Sequence, residues 1–128
     1  MHLVLAARYG RPVTGVPADA AAVALNVTVV KPSAPGYATV YPTGSARPTA
    51  SNLNFQRGQV VPNHVTAKVG TGGQVTVFTS GGCPHVVVDV AGYFEAGTPG
   101  EGGFVGVNPS RVLDTRKAGE GPCIAGAR

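Results

Sequence analysis

Apolar and polar residues alternate with a period of two along much of residues 20–94, and Gly, Pro, Asn and Ser interrupt the alternation at nearly regular intervals. Short strands with one wet face, joined by tight turns, have this pattern. In Leu25-Asn26-Val27-Thr28-Val29 the three apolar residues share a face directed at a core. Lys31-Pro32-Ser33-Ala34-Pro35-Gly36 breaks that strand, residues 37–41 alternate again, and Pro42-Thr43-Gly44 ends them. A crossover interrupted by Pro48 leads to Ser51-Asn52-Leu53-Asn54-Phe55, where Leu53 and Phe55 share a face. After the turn Arg57-Gly58-Gln59, residues 60–69 carry Val65, Ala67 and Val69 on one side. Gly70-Thr71-Gly72-Gly73 has the composition of a hairpin loop into residues 74–79. Ser80-Gly81-Gly82-Cys83-Pro84 separates that strand from residues 85–94, and Leu3-Val4-Leu5 is a weaker additional strand. The Ala-rich run at residues 18–24 leads straight into alternating Val and Thr, so it is the approach to a strand.

The chain then divides. Residues 1–95 form the strand-rich body, residues 96–103 are a Gly/Pro hinge, and residues 104–128 open with a renewed strand-like segment. Such a segment completes the sheet of its own chain or adds to a neighbouring copy. Its candidate pairing residues are Phe104, Val105, Val107, Arg111, Val112, Leu113, Asp114 and Arg116. Strict alternation points Val112 and Asp114 one way and Arg111, Leu113 and Thr115 the other, with Leu113 filling a core gap.

With 128 residues one domain is expected. The apolar residues are mostly Val and Ala, Gly and Pro number 19 and 11, and Trp is absent, which suits strands and turns. The predicted fold is all-β: an antiparallel β-sandwich of the jelly-roll or immunoglobulin-like kind, with a closed barrel as the rival. No βαβ spacing or internal repeat is visible. The formal charge of +4 comes from Arg and Lys scattered singly, without the basic stripe that nucleic acid demands. No apolar run approaches the roughly 18 residues of a membrane span, so no membrane insertion is expected. Only 12% of residues are charged and the cysteine count is even, which fits an extracellular or cell-surface setting, although residues 1–8 do not form an ordinary signal peptide.

Little in the chain points to catalysis. Five of the six acidic residues, Asp19, Glu95, Glu101, Asp114 and Glu120, stand in or beside predicted loops, and no phosphate loop, nucleophile elbow or Cys-x-x-Cys occurs. No enzymatic activity, metal or other cofactor is expected. His85 and Asp89, four apart on a predicted strand, share a face as a metal or acid–base pair or as a hydrogen-bonded structural pair. His2 and His64 stand alone. Cys83 and Cys123 are the two cysteines; paired within one chain or between neighbours, they close a loop of about 40 residues, worth about 3 to 4 kcal/mol. Asn26-Val27-Thr28 matches a glycosylation sequon but lies in a predicted strand. Asn52, Asn54 and Asn63 either cap loop backbone groups or, with Tyr37 and Tyr41, contact a glycan.

Ala24-Leu25-Asn26-Val27-Thr28-Val29, Pro35-Gly36-Tyr37-Ala38-Thr39-Val40-Tyr41-Pro42, Arg47-Pro48-Thr49-Ala50-Ser51-Asn52-Leu53-Asn54-Phe55 with Gly58-Gln59 and Pro62-Asn63, and Val88-Asp89-Val90-Ala91-Gly92-Tyr93-Phe94 together resemble a repeat module of secreted and cell-wall-associated proteins of actinomycete-type bacteria. There the module occurs in tandem or beside peptidoglycan hydrolases, and the resemblance implies no activity of the module's own. In that family a segment similar to residues 108–116 opens each module; here it stands last. The expectation is a non-catalytic extracellular subunit whose partner is itself, assembled head to tail into a surface fibre by strand donation or joined in tandem. The alternative is a cell-wall glycan or carbohydrate-binding module associated with a peptidoglycan hydrolase.

Overall fold

Ala22–Val30 is the hub of the molecule because it is the most regular alternating segment and is hydrogen-bonded along both sides. In the computed structural model, which describes residues 2–4, 16–17, 19–97 and 103–116, it is strand β2. The other strands are β1 (His2–Val4), β3 (Gly36–Pro42), β4 (Leu53–Phe55), β5 (Val60–Lys68), β6 (Gln74–Thr79), β7 (His85–Phe94) and β8 (Phe104–Asp114). They form two four-stranded sheets, ordered β1-β6-β3-β4 and β5-β2-β7-β8, in which neighbouring strands run antiparallel. The chain is an antiparallel β-sandwich, as the alternation predicts, and among the described residues no ladder joins the two sheets into a closed barrel.

The inward residues of both sheets make one core. Val23, Leu25, Val27 and Val29 of β2 and Val86, Val88 and Val90 of β7 are fully buried, as are Val75 and Val77 of β6 and Ala38 of β3. Leu53 and Phe55 close one side, Val65 and Ala67 another, and Val112 and Leu113 of β8 join the same cluster.

Gly70-Thr71-Gly72-Gly73 does not close a hairpin. β5 pairs with β2 and β6 with β3, so this segment carries the chain from one sheet to the other through a single 3-10 turn at Thr71–Gly73. Gly70 allows the crossing, since a Cβ there would stand 2.2 Å from the carbonyl oxygen of Thr43. Its composition is that of a hairpin; partner choice was decided instead by which sheet needed each apolar face. The 80–84 loop crosses between sheets likewise.

Residues 104–114 fold back on β7 of the same chain as the outer strand of their sheet. The ladder slips at Val112 and again across residues 107–109 opposite Ala91, so β8 carries two irregularities. The first undoes strict alternation: Arg111 and Asp114 reach each other, while Val112 and Leu113 both enter the core.

Candidate functional site: the closing strand and the outer face of its sheet

β8 is anchored at its end. Phe104 and the stretch to Arg111 are exposed or half-buried, whereas Val112, Leu113, Asp114 and Thr115 are each at most 5% exposed. Thr115 seals the end of the strand: its N–H donates to the carbonyl of Val86 at 3.1 Å, and the N–H of Val86 donates to Thr115 Oγ1 at 2.8 Å.

Charged side chains alternate along this seam. Arg111 donates from Nε to Asp89 Oδ1 at 2.8 Å and from Nη2 to Asp89 Oδ2 at 3.3 Å. Its Nη1 lies 3.8 Å from Asp114 Oδ2. Arg116 grips Asp114 with two bonds of 2.9 Å, and its N–H donates to Asp114 Oδ1 at 3.1 Å. Hydrogen bonding by the Arg116 side chain holds the Asp114 carboxyl well below the usual carboxylate range, against the opposing effect of burial. At the other end, Phe104 lies 5.2 Å from Phe94, ring to ring, and covers Gly92, where a Cβ would stand 2.6 Å from the Phe104 ring.

The remaining candidates separate. His85 and Asp89 share a face but do not form the predicted pair: four residues of strand separate them by about 13 Å. His85 Nδ1 instead lies 3.5 Å from Thr115 Oγ1, and Asp89 is taken by Arg111. Among the described residues no group of three or more His, Cys, Asp or Glu is placed to hold a metal. Asn52 is engaged in architecture, accepting the N–H of Val40 at 2.7 Å and donating its own N–H to Ala38. Asn63 of β5 donates to the carbonyl of Asn52, tying one sheet to the other. Asn54 accepts a bond from Ser51 but also stands directly opposite Tyr37, whose ring lies 6.1 Å from that of Phe78. Arg47 stacks 3.8 Å over the same Phe78. Tyr41 is two positions along that face of β3 from Thr39, half-buried opposite Thr76. Cys83 sits in the 80–84 loop with a positive φ of 42°; Cys123 lies outside the described residues, and so does any pairing of the two.

Sequence reasoning missed the row made by His64, Asn26, Asp89 and Arg111, which stand opposite one another across β5, β2, β7 and β8. The signal was present: Asn26 and Asp89 are polar residues set singly among Val and Leu, and on a half-buried strand such residues mark the outer face. Beside them the irregularity at residues 107–109 opens a cleft of about 490 Å³ lined by Asn26, Asp89, Val90, Ala91, Pro109 and Arg111. A second, smaller hollow of about 370 Å³ lies by Pro17, Asp19, Tyr93, Glu95 and Ala96.

No protein-family model, curated protein or solved structure matches this chain. Among the described residues no helix is long and apolar enough to cross a membrane.

Proposed function

We propose that the chain is a non-catalytic structural subunit of a bacterial surface, assembling head to tail by handing β8 to the next copy. The observation behind this reading is how β8 is held: it has one neighbour, β7, and its burial is concentrated in its last residues. A β8 received from another copy would make the same ladder and fill the same core positions, so exchange costs little beyond re-routing the hinge. Fully extended, residues 96–103 reach about 27 Å, ample to pass from one sandwich to an adjacent one. Stacking through open edges is a poorer route, because the edge strands β5 and β8 carry Pro62 and Pro109, which blunt them. The resemblance to tandem modules of secreted proteins and the low charge support an extracellular setting.

The test combines negative-stain microscopy with mass measurement on the full chain and on a variant in which residues 97–102 are all Pro. Six consecutive prolines hold their ends about 19 Å apart and cannot turn back to bring β8 onto its own β7, so the variant is expected to form oligomers or fibres even where the parent is monomeric. A variant that folds and stays monomeric overturns the proposal. The rival reading, a glycan-binding module, draws on Tyr37 and Asn54 standing opposite each other; sugar binding abolished by Tyr37→Ala in a strictly monomeric chain would favour it.

A further inference from the structure

We infer that the cleft beside Asp89 and Arg111, on the outer face of the β5-β2-β7-β8 sheet, is a binding site for the hydroxyl groups of a neutral oligosaccharide. The cleft exists because β8 departs from its ladder across residues 107–109, and such irregularities commonly open or re-aim a surface next to a site. Its charges cancel locally. Asp89 and Arg111 are joined by two hydrogen bonds, so an anion meets the carboxylate and a cation meets the guanidinium, and neither finds an unopposed partner. What the pair retains is hydrogen-bonding capacity in fixed directions. Each carboxylate oxygen keeps a lone pair, and the two bonds to Asp89 leave three of the five guanidinium donors. Asn26 donates its amide to Thr28 Oγ1 at 3.4 Å, which leaves its amide oxygen as a further acceptor.

A mutually satisfied carboxylate, guanidinium and amide on one wall suit adjacent hydroxyls, each of which both donates and accepts. Ala91 and Pro109 supply small apolar surface for the C–H face of a sugar ring. The row continues through Asn26 to His64, and at about 4.8 Å per strand it spans about 14 Å, the scale of a short chain of linked sugars rather than one ring. This site is on the opposite sheet from Tyr37 and Asn54, and it is independent of how β8 is exchanged, because the same side chains face one another whichever copy supplies the strand.

The test is titration of the isotope-labelled full chain with two neutral probes, a tetramer of β-linked N-acetylglucosamine and a tetramer of β-linked glucose, followed by amide chemical shifts. Either probe is expected to bind with a dissociation constant of about 1 mM or tighter and to shift the amides of Asn26, Asp89, Ala91 and Ser110. Asn26→Ala, which leaves β8 untouched, and Ala91→Leu, which fills the cleft, should each weaken binding about tenfold or more, while Tyr37→Ala should not. The absence of shifts with both probes overturns the inference, as does binding that Tyr37→Ala removes and the cleft variants leave intact.

Discussion

Thr115 and Val86 exchange two hydrogen bonds, one from backbone to backbone and one from the Val86 N–H to the Thr115 hydroxyl, and both partners are buried. This clasp fixes the end of β8 at the start of β7. Thr115→Val keeps the side chain's shape but leaves the Val86 N–H buried without that acceptor, which costs about 1 to 3 kcal/mol. Urea unfolding followed by fluorescence or far-UV circular dichroism should show that loss. A neutral result would mean that β8 is held by its apolar residues alone.

Those apolar residues make a separate prediction. Leu113 is 5% exposed within the common core, and its truncation to Ala is expected to destabilise the sandwich by about 2 to 5 kcal/mol and to weaken assembly with it. Ser110→Ala, on the less buried half of the same strand, should change stability by less than about 0.5 kcal/mol. Equal effects of the two substitutions would remove the distinction between anchor and lead-in on which strand exchange depends.

Asp114 should make the protein acid-sensitive. Its carboxyl is ionised in the folded state at a pH where it would be protonated in the unfolded chain, since Arg116 holds its pKa down. The stabilisation is therefore complete above the unfolded value of about 3.9 and is lost as pH falls below it. The urea midpoint should drop between about pH 5 and pH 2, and in Asp114→Asn that drop should be shallower from a lower starting point. An unchanged pH profile in the variant would show that the Arg116 grip contributes nothing to folding.

The sandwich was legible because its strands need a wet face and a dry face, and Leu25, Val27, Val29, Val86, Val88 and Val90 declare which is which. Partner choice was not legible. Gly70-Thr71-Gly72-Gly73 has hairpin composition yet joins two sheets, since local turn chemistry says nothing of which distant strand lies alongside. The orientation of residues 111–115 was lost for a related reason: one extra residue at Val112 reverses every side chain beyond it, and no local signal announces the slip. The Asp89–Arg111 pair joins β7 to β8, but its partners lie 22 residues apart and only the fold brings them together.

Cys83 and Cys123 are predicted to be oxidised, and electrophoresis without reductant discriminates between the two arrangements. A ladder that collapses on reduction indicates a bond between copies. A shift of the monomer alone indicates a bond within one chain, whose reduction should lower stability by about 3 to 4 kcal/mol for a loop of this length. Free thiols in freshly isolated, unreduced protein would eliminate both.

Thr79 offers a substitution in the stabilising direction. It is fully buried at the end of β6, and its hydroxyl is, among the described residues, a buried polar side-chain atom without a hydrogen-bond partner. The neighbouring inward positions of β6 are Val75 and Val77, so the site already accepts a branched apolar side chain. Replacing the hydroxyl with a methyl group removes the desolvation penalty of an unpaired oxygen and leaves the shape of the side chain nearly unchanged. Thr79→Val is therefore expected to raise stability by about 1 kcal/mol, read as a higher urea midpoint with an unchanged slope. A loss of stability would mean that the hydroxyl has a partner in solution, such as a bound water, and that the end of β6 is wetter than its burial indicates.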